Sequence, residues 1–579
     1  MSPGPAGHRG GTTTPATPAG GSPAPAGPAG GTTAGEAPAA PSPSPGGSRR
    51  AAWSGLAGAI AVVAATMAVL GWWGLARRDS MGNDEVATRW AALLPLHDLF
   101  HLLRRVDAVH GLYYLLMHPW VAVGSSPAIL RIPSIIAMMA AGALTVILAR
   151  QLTGSIWAGL FAGMIMVLTP SISFYAQTAR SYAMVVACVA GSSLALVHAL
   201  RAEAPGGPAA ARRRRWLGYA ALVALAAYLN EMSLLLLAAH GITVLLARYG
   251  EPVVRRWLAA AAGGIVLALP VLAFSLIEHG AIGWIGYPNW PGIRLLLQDY
   301  FGTTALAIAI LAVCIAVAVL PPPAWWRRTP GGGAGSQAAP VIPWWRTGGV
   351  SLPSVAAPLL VAPALILVAE SYVLRPLFVD RYVLYGEVGA ALLGGYGACR
   401  IGQWLLGVAA RRRGIPAGQL AGAWRALAWA PGVAACACLL LFQLGPQHDI
   451  RTPGSRHYDF GGPSRYIGAN ANKGDGIMFF GTLYRKGELG YPSDFRNTTD
   501  FAMAESPLRV GDFRGTDKPF AEVSPLMLHY RRIWVYGLRP SLVIPPGPLR
   551  EESAELFRDF RLAGLRHFHD ITVTLWVRR

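Results

Sequence analysis

Two adjacent carboxylates, Asp84 and Glu85 in "MGNDEVATRW", arrive after a long apolar run that carries no acid. At a bilayer boundary a carboxylate can act as a general base or hold a metal ion. It can also be an ordinary solvated loop acid. Asp107 and His110 follow at i, i+3, a spacing that puts both on one face of a helix. They can sit beside the same chemistry or form the polar side of a surface helix. His97 and His101 flank Asp98 in "HDLFH", and their i, i+4 spacing can hold a metal. No H-E-x-x-H and no third ligand accompany them, so no metal site is expected there.

The elements that must position these groups are set by composition. The chain has 579 residues, is 53% hydrophobic and 13% charged, and carries 19 Trp. A soluble protein is about a quarter charged. Several apolar stretches reach the roughly 20 residues that cross a bilayer. The fold class is a polytopic α-helical membrane protein. Its net charge of +20 lies in short arginine blocks between apolar runs, the pattern of cytoplasmic loops. No basic stripe with interleaved aromatics points to nucleic acid.

Apolar runs fall at 52–74, 128–149, 156–170, 181–200, 216–230, 232–248, 257–277, 301–320, 352–371, 382–407 and 426–444, which predicts about eleven transmembrane helices. A cytoplasmic N-terminus puts the arginine-rich loops inside and the acidic, aromatic ones outside, Arg77-Arg78 excepted. Residues 1–48, rich in Gly, Pro, Ala, Thr and Ser, read as a disordered cytoplasmic tail. Residues 49–445 read as the membrane bundle. Its first outer loop, 75–127, has apolar residues at helical spacing in two stretches too short to span, which predicts amphipathic helices on the outer leaflet. Residues 446–579 alternate helix and strand patterns and predict a small extracytoplasmic α/β domain. "SRYIGANANKGDGIMFFG" reads as helix, turn and strand. "LREESAELFRDFRLAGLRHFHDITVTLWVR" reads as a helix followed by a strand.

Other polar features have plainer readings. The five cysteines all fall in apolar runs, so neither disulfides nor a Cys-held metal is expected. Asn230-Glu231 reads as a turn between spans, and Lys473 to Gly476 as a turn rather than a phosphate loop. The loop "EHGAIGWIGYPNWPGIRLLLQDY", 278–300, rich in Trp, Tyr, Pro and Gly, suits interfacial anchoring or a lid.

The order of motifs carries a resemblance. Asp84-Glu85 ends the first span, and Asp107, His110, Leu112, Tyr113 and Tyr114 follow in "DAVHGLYY", with Gly111 departing from a Pro-Pro. Leu130, Arg131, Pro133 and Ser134 open the second span. Ala179, Arg180 and Tyr182 join the third to the fourth, with Thr178 where an acid is common. Arg381 and Tyr382 open a late span. The set resembles the protein O-mannosyltransferase-like GT-C glycosyltransferases, glycosyltransferase family 39, and the Ala-, Gly-, Pro- and Arg-rich composition suits the actinobacterial type.

The resemblance implies a membrane glycosyltransferase. Its donor is a polyprenyl-phosphate-linked sugar, mannose above others. Its acceptor is an extracytoplasmic cell-envelope glycan, lipid or protein. Asp84 is then the catalytic base for inverting attack at the sugar C1, and Glu85 positions the acceptor or the loop. Arg381 is the first candidate for the lipid phosphate, since a guanidinium stays charged and can bond two oxygens at once. Arg131, Arg180 and Tyr382 are further candidates, with Asp107, His110, Tyr113 and Tyr182 in support. Arg131 and Arg381 can equally be arginines snorkelling at span ends. No cofactor is implied, although adjacent acids can hold a divalent cation. No nucleotide-binding fingerprint appears, as a lipid-activated sugar requires. The rival readings are a lipid or polysaccharide transporter, favoured by Glu387 within a span, and a scaffold presenting the C-terminal domain.

Overall fold

A computed structural model describes residues 45–76, 80–203, 208–277, 283–321, 348–414, 422–455, 458–537 and 549–579. The chain divides after Ala51 into two units, and Ala52–Arg579 forms the second. All that follows concerns this second unit. The expected tail lies outside the described residues up to position 44, as does Arg77-Arg78. Helix begins at Pro45, inside the stretch expected to be disordered.

Helix α1 (Pro45–Trp72) leads to three short helices, α2 (Asn83–Leu93), α3 (Leu96–Leu103) and α4 (Gly111–Trp120). Then come α5 (Pro127–Thr153), α6 (Ile156–Leu168), α7 (Pro170–Ala176), α8 (Tyr182–Arg201), α9 (Ala209–Leu229), α10 (Leu236–Leu246) and α11 (Glu251–Ile277). The bundle closes with α12 (Trp290–Phe301), α13 (Ala305–Val319), α14 (Leu352–Val373), α15 (Gly386–Arg412) and α16 (Ala430–Asp449). Helix occupies every expected apolar run. Among the described residues six helices are long and apolar enough to cross a membrane, and two bent pairs, α6–α7 and α12–α13, raise this to eight. The expected count of about eleven also included α9, the short 231–246 helix and α15. The first opens on Arg212 to Arg215, and the last carries Glu387 and three arginines, so hydropathy alone does not mark them as spans.

Local sequence explains how the site is framed. Ser126 caps α5 by accepting a bond from the Ile129 N–H, and Pro127 fits the first turn. The same helix ends at Gly154, whose φ of 72° is the left-handed cap that glycine permits. Thr169 is extended and Pro170 starts a new helix, so α6 and α7 meet at 68°. That bend carries the chain into the 177–181 turn. Gln177 secures it, donating from Nε2 to the Gly71 and Trp73 carbonyls at 2.8 and 2.9 Å. Helix α15 packs unusually close to its neighbours: a Cβ on Gly395 would stand 2.3 Å from the Ala162 nitrogen.

The C-terminal domain is a five-stranded sheet in the order β2-β1-β5-β7-β6. Its strands are β1 (Asp475–Phe480), β2 (Thr498–Asp500), β5 (Arg532–Gly537), β6 (Phe560–His567) and β7 (Thr572–Arg578). A separate pair, β3 (Met503–Glu505) and β4 (Thr516–Asp517), is antiparallel. Strands β2, β1 and β5 run parallel; β7 pairs antiparallel with β5, and β6, antiparallel to β7, forms the edge. The helices are α17 (Gly461–Asn470), α18 (Lys486–Gly490), α19 (Pro507–Val510), α20 (Phe520–Met527) and α21 (Leu549–Asp559). One strand was expected after α21; a hairpin of two is found. The "FRLAGLRH" half alternates poorly because β6 is an exposed edge strand, which needs only one apolar face.

Strand alternation also sends side chains to two cores. Met478, Ile533 and Val535 join Val523, Met527 and Leu556 beneath α20 and α21. On the other face Ile477, Phe479, Trp534 and Tyr536 are continuous with the apolar core of the bundle. The domain is therefore built onto the helices rather than tethered to them.

Candidate functional site

Glu85 and Asp84 begin α2, and the helix turns their side chains to different surroundings. Glu85 is 1% exposed. Its carboxylate accepts from Arg131 Nε and Nη2, both at 2.8 Å, from the Ala179 N–H at 2.9 Å and from the Gly82 N–H at 3.3 Å. Arg131, also fully buried, donates in addition to the Ser80 carbonyl at 2.6 Å. Every oxygen of this pair is in use, as a buried charge requires. Arg131 is therefore committed to tying α5 to α2 and to the 177–181 turn, and is held away from Asp84.

Asp84 keeps a side chain that is 36% exposed, beside an Arg180 guanidinium that is only 6% exposed and 3.9 Å away. Partial burial raises the carboxyl pKa, but Arg180, Arg381 and Lys486 outweigh it and hold it down at about 2. Arg180 is fixed from its other side. It donates from Nη1 to the Tyr114 hydroxyl at 2.6 Å and lies 3.6 Å from Asp107 Oδ2, which accepts from the same hydroxyl at 2.6 Å. Asp107 adopts φ 60°, a left-handed conformation uncommon outside glycine and best tolerated by Asp and Asn. His110 lies one short turn on. Burial and the Arg180 charge push its imidazole down to about 4, so it is neutral near pH 7.

Arg381 sits in the 380–383 turn that opens α15. Its Nε donates to the Tyr182 hydroxyl at 3.0 Å, and its guanidinium lies 5.5 Å from the Trp284 ring and 5.8 Å from that of Tyr382. Trp284 is itself 63% exposed. The structure thus gathers Asp84, Asp107, His110, Arg180, Tyr182, Arg381 and Tyr382. Glu85 and Arg131 lie behind them, and Tyr113 is buried in the core. A partly exposed carboxylate beside fixed cations can accept a proton from a hydroxyl while the cations hold an anion alongside.

No family model matches the sequence, and no curated protein matches it. The likeness is structural. ArnT from Cupriavidus metallidurans bound to undecaprenyl phosphate aligns over 90% of this chain and 98% of its own, with a TM-score of 0.50 at 12% identity. Its apo form aligns over 91% and 98%, with the same TM-score at 11% identity. The archaeal oligosaccharyltransferase AglB from Archaeoglobus fulgidus gives a TM-score of 0.44 at 12% identity, over 84% of this chain and 69% of its own.

The chain has the GT-C fold.

In this GT-C bundle the other sequence features fall apart from the site. His97 is exposed and pairs with neighbouring Asp98 at 3.1 Å. Among the described residues no cluster of three or more His, Cys, Asp or Glu side chains is placed to hold a metal. Asn230 caps its turn by accepting from the Met232 N–H at 3.0 Å. The Lys473–Gly476 stretch is a turn, with Gly474 at φ 90°. Glu387 is buried in α15 and accepts from Ser171 Oγ at 3.3 Å, while its Oε1 has no hydrogen-bond partner among the described residues.

One neighbour of Asp84 escapes sequence reasoning. Lys486, in the C-terminal domain, is 7% exposed and donates to Asn83 Oδ1 at 2.8 Å. "RKGELG" matches no motif. The available signal is compositional: of 49 basic residues only Lys473, Lys486 and Lys518 are lysines, and all lie in the C-terminal domain.

Proposed function

We propose that this protein is a membrane glycosyltransferase that moves a hexose, mannose, from a polyprenyl-phosphate donor to an extracytoplasmic acceptor with inversion at C1. The observation that carries the reading is the partly open Asp84 carboxylate beside buried Arg180, with Arg381 close by. Support comes from the GT-C fold shared with ArnT, whose structure was solved with undecaprenyl phosphate. The arginine-rich loops favour a cytoplasmic N-terminus, with α2 and the sheet domain on the outer side.

On this reading an acceptor hydroxyl gives its proton to Asp84 as its oxygen bonds to C1. The bond from C1 to the phosphate oxygen breaks, and polyprenyl phosphate leaves with one more negative charge than the donor phosphate carried. Arg381 and Arg180 face that developing charge and stabilise it. While Asp84 and an incoming phosphate share the same cations, phosphate binding weakens their hold on Asp84 and makes it a better base.

The test supplies purified protein with polyprenyl-phosphate-mannose and envelope-type acceptors, and follows mannosylated product and released carrier. Transfer by the wild type and its loss in Asp84→Asn is the expected result. No transfer with any polyprenyl-phosphate sugar removes the proposal. A lipid transporter without transferase activity is the second reading, favoured by the unpartnered Oε1 of Glu387. It predicts carrier movement across liposomes that is unaffected by Asp84→Asn.

A further inference from the structure

The C-terminal domain meets the bundle at α18, and several fixed contacts define the seam. Arg89 of α2 donates to the Gly490 carbonyl at 2.6 Å. A Cβ on Gly490 would stand 2.8 Å from Val86 Cγ2, so α18 lies tightly on α2. The Tyr491 hydroxyl accepts from the Met81 N–H at 2.8 Å, just before α2 begins.

Within the domain the residue preceding Lys486 is anchored rigidly. Arg485 is 1% exposed. It donates to Asp500 at 2.7 Å, and to Asp517 and the Arg514 carbonyl at 2.6 Å each. With Arg485 clamped on one side, Lys486 projects to the other, into the seam. There its ammonium lies 5.1 Å from the Phe513 ring and donates to Asn83, next to Asp84. A buried ammonium with one hydrogen bond to a neutral amide has donors to spare for an anion. Burial lowers its pKa to about 8, with Arg180 of the bundle and Arg514 of its own domain acting the same way and Asp84 and Asp107 of the bundle opposing.

We infer that the C-terminal domain completes the transfer site: Lys486 donates to the phosphate of the lipid carrier, alongside Arg180 and Arg381. The inference rests on the proposed function and adds a phosphate-binding residue, and a role for a domain, that the fold alone does not assign. Lysine suits this place as a compact charge with three N–H donors on a flexible stem. The carrier would then be gripped by both parts of the molecule, so the sheet domain is needed for donor affinity as well as for shape.

Undecaprenyl phosphate binding to the full-length protein in detergent, read by intrinsic tryptophan fluorescence, tests this without requiring turnover. Lys486→Met is expected to weaken binding at least tenfold, Lys486→Arg to restore it, and the exposed-site control Lys473→Met to leave it unchanged. A phosphomonoester is already fully charged above pH 7, with its second pKa near 6. Wild-type affinity should therefore fall between pH 7 and 9.5 as Lys486 loses its proton, while Lys486→Arg stays flat. Binding as tight in folded Lys486→Met as in the wild type overturns the inference and leaves the function standing. Identical pH dependence in wild type and Lys486→Arg also overturns it, and settles the matter if the Met variant does not fold. Absence of binding by the wild type overturns both.

Discussion

Glu85 and Arg131 hold each other through two bonds of 2.8 Å, and neither side chain is more than 2% exposed. Removing one partner strands the other charge in the interior. Arg131→Met or Glu85→Leu alone should cost about 3–5 kcal/mol, and the double replacement much less. Thermal unfolding of the detergent-solubilised variants checks this. Equal losses in the single and double variants would contradict it.

Asp84 differs from its neighbour in remaining open. Asp84→Asn keeps the shape, and leaves the melting temperature near that of the wild type. Its transfer rate should fall by about 10²–10⁴-fold, the usual contribution of a positioned base.

The pH dependence follows from the depressed carboxyl. Asp84 is ionised far below neutrality because its folded pKa is about 2. Its attraction to the cations stabilises the fold above the unfolded value near 4 and is lost as pH falls through about 2. The kcat/KM profile should therefore show no acid limb from Asp84 between pH 4 and 7. A limb in that window that disappears in Asp84→Glu or shifts with it would refute the assignment of so acidic a group.

His110 weakens the fold in acid as well, in a higher pH window. Its folded pKa is pushed down to about 4 from 6.5, so the folded state resists a proton that the unfolded chain accepts. Stability present above pH 6.5 declines as pH falls toward 4. The melting temperature of His110→Gln should fall less than that of the wild type between pH 7 and 4.5.

Gly395 marks a tight backbone-to-backbone approach of α15 to α6. An added methyl would meet the α6 backbone at Ala162, which cannot rotate away. Gly395→Ala should destabilise the protein by about 1–3 kcal/mol, the range for overpacking. A melting temperature equal to the wild type would show that α6 shifts freely.

Hydropathy located the helices well because a bilayer demands long apolar runs. It marks α15 less clearly, because that helix carries many glycines, Glu387 and three arginines. The carboxylate pair was visible, but its division was not derivable from adjacency. Consecutive helical residues point about 100° apart, and only the positions of Arg131 and the Ala179 N–H decide which acid is enclosed. Lys486 was illegible for a related reason. Its meaning lies in a docking surface, and that surface is created by alternate residues of β1 and β5 joining the bundle core. The second strand after α21 was missed because an exposed edge leaves a weak apolar pattern.

Asn83 and Lys486 are 403 positions apart in the chain. A polypeptide still emerging from the ribosome, with its first helices already inserted, carries Asp84 without the lysine that faces it. The pocket is finished only when the chain as far as α18 has been made and folded. Insertion of the first helices is thus separated in time from completion of the pocket.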